Sequence, residues 1–129
     1  MATYLDSSAI VKLAVHEQES LALRRYLRRR RPLISSALAR TEVLRALLPA
    51  GDEALSRGHA VLQRLDLVRV NDRILTAAGG LRPPELRSLD AIHLATADEL
   101  RDALSELITY DDRMASAAKR LGYRIVQPR

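Results

Sequence analysis

The sequence predicts an α/β fold in which a mostly parallel central sheet is covered by helices. Two observations carry this. Short apolar runs of strand length alternate with helix-patterned segments from one end of the 129 residues to the other. No repeat, low-complexity tract or long linker interrupts that alternation, so residues 1–129 are expected to form a single domain.

The elements follow in order. "ATYLD" (2–6) reads as a strand ending on a carboxylate. "SSAIVKLAV" (7–15) is a helix for which Ser7 or Ser8 is available as N-cap. Residues 17–31 form a second helix, with Leu23, Tyr26 and Leu27 at i, i+3, i+4 and Pro32 after its end. "LIS" (33–35) is a short strand. Residues 36–48 are a helix stopped by "PAG", and 52–65 another, weakened by Gly58. "DLVRV" (66–70) alternates as a strand does, and 72–80 is a short helix with a glycine stop. Residues 81–87 are a loop, and 88–100 a well-patterned helix opened by Ser88. "LITY" (107–110) is a strand, 111–122 a helix with a glycine end, and "YRIV" (123–126) the last strand.

Composition bounds the function. There is no cysteine, so neither a disulfide framework nor a thiolate site is available. The first residues lack the pattern of a signal peptide, and no apolar run reaches the ~18 residues of a membrane span. A soluble, cytoplasmic protein without membrane contact is expected. The formal net charge is +5, and of 21 basic residues only Lys12 and Lys119 are lysine. Such a balance suits an anionic partner, although an arginine-rich composition alone produces the same excess.

In an open parallel sheet, ligands sit at the carboxyl ends of the strands. Asp6 ends the first strand, and Glu42 lies early in the helix after the second. Asp90 lies in the first turn of the helix leading into "LITY", and Asp111 directly follows that strand. The fold thus gathers four acids at one edge of the sheet. Four crowded carboxylates repel and need a cation, either arginine or a hard divalent metal such as Mg²⁺ or Mn²⁺. Metal held at an acidic edge of a basic protein suits phosphodiester hydrolysis by an activated water. Each acid also has a plainer explanation. Asp6 and Asp111 can cap helices, Asp90 can favour a helix dipole, and Glu42 can pair with Arg45 on the surface. Their joint placement favours a site, and Asp6 and Asp90 adjoin apolar sequence where an unpaired charge is costly.

The stretches "YLDSSAIVKL", "TEVLRAL", "RSLDAIHLATA" and "LITYDDRMASAAKRLG" resemble, in order and spacing, the motifs of the PIN-domain ribonucleases, most closely the toxins of VapBC type II toxin–antitoxin systems. The resemblance runs from residue 3 to about 126. It implies a PIN-like three-layer α/β/α sandwich. It also implies that Asp6, Glu42, Asp90 and Asp111 are the metal-binding and catalytic acids, supported by Ser8 and Thr109. Asp112 lies one residue off the pattern. The implied cofactor is Mg²⁺ or Mn²⁺, and the implied activity is metal-dependent endonucleolytic cleavage of RNA that arrests translation. Cleavage by activated water would leave a 3′-hydroxyl and a 5′-phosphate. The implied partners are the RNA substrate, a cognate VapB-like antitoxin and a second copy in a homodimer.

The alternative is a catalytically inactive PIN-fold module that binds nucleic acid or the antitoxin. A receiver-type phosphoacceptor is disfavoured because the first strand carries one acid and "DLVRV" ends on Val70-Asn71. A helix-turn-helix regulator is disfavoured by the strands. His93 lies at i+3 from Asp90, where it could share a helix face with it and touch the site, but it is expected to be a packed, hydrogen-bonded core residue. Tyr4 and Tyr110 are likewise expected in the core. The run "RRYLRRRR" (24–31) suits RNA phosphates, an acidic antitoxin segment or a solvated helix face.

Overall fold

The structure, a computed structural model, describes all of residues 1–129. Five strands form one sheet: β1 (Ala2–Leu5), β2 (Leu33–Ser36), β3 (Asp66–Val68), β4 (Leu104–Ile108) and β5 (Ile125–Val126). Their order is β3-β2-β1-β4-β5, and every pair is parallel. Seven helices connect them: α1 (Ser7–Ala14), α2 (Ser20–Leu27), α3 (Ala39–Leu47), α4 (Asp52–Gln63), α5 (Asp72–Gly79), α6 (Ser88–Asp98) and α7 (Asp112–Arg120).

Consecutive strand residues point to opposite faces, and the two cores show it. Leu5 and Ile108 pack with Ile10, Leu23, Val43, Leu47 and Val61 of the layer α1–α4. Tyr4 and Leu107 pack with Leu94, Met114 and Ala118 of α6 and α7. Helix α5 docks on α6 through Ile74, Ala78, Ala91 and Ala95. Strands β1 and β2 are buried at every position, which is why they read as short uniform runs rather than as clean alternation. Gly58 weakens α4 in sequence terms but has a packing reason: a Cβ there would stand 2.5 Å from Leu47 Cδ1, where α4 crosses α3.

Several boundaries differ from the sequence reading. The second helix ends at Leu27, not Arg31, because the arginines after it have no apolar face to bury. The third helix begins at Ala39 because β2 runs on to Ser36, with Ser36 Oγ accepting from Leu38 N at 3.1 Å in the turn. Strand β4 starts at Leu104, three residues before the expected start, after a 3₁₀ turn at Arg101–Ala103. The strands at 66–70 and 123–126 shorten to Asp66–Val68 and Ile125–Val126. Gly122 adopts φ +92, a conformation L side chains rarely take, and turns the chain from α7 toward β5. No helix is long and apolar enough to cross a membrane.

One buried charge has no counterpart in the sequence reading. Glu106, 3% exposed, sits inside β4 opposite Thr3 of β1. Its carboxylate accepts from Thr3 Oγ1 at 2.8 Å, from Arg30 Nε at 3.0 Å and from the Tyr26 hydroxyl. Burial alone would raise its pKa, but these donors and the Arg30 charge outweigh that and lower it.

Candidate active site

The register of β1 on β4 builds the centre of the site. Leu5 pairs with Ile108, and the ladder extends one step further through Asp6 N donating to Ile108 O at 3.1 Å. Asp6 is thereby set beside Thr109. Asp6 is only 4% exposed, and three donors hold its carboxylate. Ser8 Oγ (2.6 Å) and Ala9 N (3.0 Å) donate to Oδ1, and Thr109 Oγ1 (2.5 Å) donates to Oδ2. The bond from Ala9 makes Asp6 the N-cap of α1, so the cap is not Ser7 or Ser8. Burial pushes the Asp6 carboxyl above the usual carboxylate range, although these hydrogen bonds oppose the shift.

Ser8 and Thr109 tie the first acid to the last. Tyr110 N donates to Ser8 Oγ at 2.9 Å, and Asp111 N donates to Thr109 Oγ1 at 3.1 Å. Asp111 caps α7, its Oδ1 accepting from Arg113 N (2.9 Å) and Met114 N (3.3 Å). Its Oδ2 accepts nothing. For Asp6 and Asp111, capping and a place in the cleft are the same fact, not rival explanations.

Glu42 comes from the first turn of α3. Its Oε1 accepts from Ser7 Oγ and from His93 Nε2, each at 2.6 Å, and its Oε2 is unpartnered. The surface pair with Arg45 does not form. Burial raises the Glu42 pKa, but the bonds from His93 and Ser7 outweigh it and the net shift is downward. Asp90, in the first turn of α6, accepts no hydrogen bond. Burial, then the neighbouring Asp111 charge, push its carboxyl upward, with Arg87 opposing. Ser88 is the first residue of that helix rather than its cap.

All four acids open onto one cleft of about 330 Å³, together with Ser7, Ser8, Arg87 and His93. No three of its acidic or histidine side chains stand close enough to form a ready-made chelate. The donor set is nonetheless one of hard oxygens, with Glu42 Oε2, Asp111 Oδ2 and the whole Asp90 carboxylate free of protein partners, and Asp90 carries a like-charge strain that a cation would relieve.

His93 is the packed, hydrogen-bonded residue that was expected. It is buried as a core residue would be, at 2% exposed, yet it also binds Glu42 and lines the cleft. Its i+3 spacing from Asp90 was the available signal. Ser7 and Arg87 are further cleft residues that the sequence reading did not assign. The arginines of 24–31 lie elsewhere. Arg24, Arg28 and Arg31 line a separate cleft of about 400 Å³ between α1, α2 and α4, while Arg30 pairs with Glu106. Tyr4 is fully buried, as expected, and Tyr110 is partly buried, its hydroxyl donating to Pro128 O at 2.8 Å.

A five-stranded parallel sheet between two helical layers, with acids just after β1 and β4 and in the first turns of α3 and α6 at one edge, is the architecture of the PIN domain. The PIN-domain family model matches residues 3–120, and the chain belongs to that family. Within it the chain is of the VapC type. It is 63% identical over 127 residues to Ribonuclease VapC46 of Mycobacterium tuberculosis (strain ATCC 25618 / H37Rv), covering 98% of both chains. It is 43% identical over 129 residues to Ribonuclease VapC35 of Mycobacterium tuberculosis (strain CDC 1551 / Oshkosh), covering 97% of this chain and 96% of that one. The fold is shared with solved structures at much lower identity. Mycobacterium tuberculosis VapC20, a Sarcin-Ricin loop cleaving toxin, superposes with a TM-score of 0.78 at 16% identity over 98% of this chain and 99% of that chain. VapBC2 from Rickettsia felis, bound to a DNA fragment from their promoter, gives 0.74 at 14% identity over the whole of both chains.

Proposed function

We propose that this protein is the endoribonuclease toxin of a type II toxin–antitoxin system, cutting RNA with the help of Mg²⁺ or Mn²⁺. The observation that carries the reading is the convergence on one cleft of Asp6, Glu42, Asp90 and Asp111, contributed by four separate segments. The near-full-length identity to Ribonuclease VapC46 supports the ribonuclease activity. A divalent cation held by these acids would offset the charge of the scissile phosphate and ready a water for attack.

The chain's own residues do the rest. Ser8, Ala9 N and Thr109 fix the Asp6 carboxylate, and Ser7 and His93 fix Glu42 so that Oε2 is left for the cleft. Asp90 and Asp111 supply the remaining unpartnered oxygens, and Arg87 on the rim suits a phosphate. Hydrolysis by water leaves a 3′-hydroxyl and a 5′-phosphate. A cognate VapB-like antitoxin, a homodimer and a cytoplasmic location complete the proposal.

The test is cleavage of RNA by purified protein in Mg²⁺, Mn²⁺ or EDTA, with Asp6→Asn and Asp90→Asn beside wild type. Cutting that needs the cation and is lost in both variants, with circular dichroism unchanged, supports the reading. Cation-independent behaviour that is equal in all three proteins overturns it in favour of an inactive module that binds RNA or antitoxin.

A further inference from the structure

Behind Glu42 and His93 a buried chain of polar groups continues to Tyr4, which the catalytic reading does not use. Tyr4, fully buried in the central strand, has its hydroxyl 2.7 Å from His93 Nδ1. The two rings meet edge to face, with centroids 5.8 Å apart and planes at 80°. On the other side of the imidazole, Nε2 lies 2.6 Å from Glu42 Oε1, which Ser7 Oγ also reaches.

The proton positions follow from what each group can give. An ionised Glu42 is acceptor-only, so the short contact to it requires a proton on Nε2. A phenol is a natural donor to the unprotonated Nδ1 on the far side of the ring. A histidine nitrogen is set in its task by the bond its other nitrogen makes. We propose that Tyr4 is a positioning residue for the cleavage reaction: its hydroxyl donates to His93 Nδ1, holds the ring with its Nε2 proton toward Glu42 and thereby aims the Glu42 carboxylate. This rests on the nuclease reading only for its kinetic consequence.

Without the phenol, Nδ1 is a buried acceptor with no donor, and the ring loses the bond that holds its plane toward the carboxylate. Glu42 would keep Ser7 alone and swing. Loss of such an orienting partner typically costs 10- to 100-fold in activity. Tyr4→Phe keeps the ring and removes one oxygen, so the expected result is a 10- to 100-fold fall in kcat with KM within about twofold.

Two readouts separate this from a general packing defect. Nitrogen chemical shifts of the His93 imidazole in wild type should show a proton on Nε2 and a hydrogen-bonded acceptor at Nδ1, and in Tyr4→Phe the Nδ1 shift should move to that of a free acceptor. In addition, His93→Gln places an amide that donates to Glu42 and has no Nδ1 for Tyr4 to hold. Adding Tyr4→Phe to that background should cost no more than a further twofold.

A wild-type proton on Nδ1 instead of Nε2, or full additivity in the double variant, overturns the proposal. A wild type that cuts no RNA overturns the nuclease reading, while the nitrogen-shift measurement still decides whether Tyr4 governs His93.

Discussion

Replacing Thr109 by valine keeps the shape of a fully buried side chain and removes its hydroxyl. That oxygen donates to Asp6 Oδ2 at 2.5 Å and accepts from Asp111 N at 3.1 Å. A hydrogen bond to a charged acceptor contributes about 1.5–3 kcal/mol, and a stranded N–H costs about 1–3 kcal/mol. The Asp111 amide stands at the rim of the cleft, where water can reach it, so its share falls at the low end. Asp6 can also relieve its loss by taking a proton, since burial already holds its carboxyl high. The sum is about 3 kcal/mol. With an unfolding entropy of about 2.1 cal/mol/K per residue, the melting temperature should fall by about 11 °C. Thr109→Ser, which keeps the hydroxyl, should fall by less than half as much. Thermal and urea unfolding followed by circular dichroism make the comparison. A valine variant within about 0.5 kcal/mol of wild type would refute the claim that Thr109 holds the two acids together.

Asp6→Asn should do the opposite to stability. Folding raises the Asp6 pKa, so its ionised form at neutral pH works against the fold, a cost absent below its unfolded pKa and incurred as pH rises. The asparagine variant should therefore melt higher than wild type at pH 7 while cutting no RNA, and scanning calorimetry that shows it melting lower would count against the burial argument. Saturating Mg²⁺ should raise the melting point of wild type, by about 2.7 kcal/mol of stability at 100 times its dissociation constant, and leave Asp6→Asn nearly unmoved. Glu106 has the reverse sign: its pKa is lowered on folding, so its contribution is complete above its unfolded value and lost as pH falls through the folded one. Glu106→Gln should cost about 2 kcal/mol at pH 7 and flatten the acid limb of the stability curve, and an unchanged acid limb would dismiss the Thr3–Tyr26–Arg30 network as its cause.

The acids were legible because topology alone places them. Any parallel sheet puts the residue after β1, the residues after β4 and the first turn of α6 at the same edge, so Asp6, Asp111 and Asp90 needed no knowledge of side-chain contacts. What escaped was set by partners. Nothing in the sequence marks Glu106 as buried, and only the arrival of Thr3, Tyr26 and Arg30 from far along the chain explains it. His93 was read as either core or site, because sequence spacing cannot show that one ring face packs while one nitrogen reaches a carboxylate. Arginine is a good helix former, so the sequence extends the second helix to Arg31, past its end at Leu27. Nothing local marks Leu27 as the last residue with a core to enter.

The pairing of β1 with β4 also orders events in time. Thr109, which clamps Asp6, is added to the growing chain 103 positions after it. At about 5–20 residues per second, synthesis of that interval takes roughly 5 to 20 s. Through all of it the nascent chain carries half a site: an acid without its clamp, and no Asp111. A message broken anywhere before β4 yields a product that cannot assemble the cleft, and a ribosome making this chain does not meet the completed cleft until β4 and the residues after it have been made.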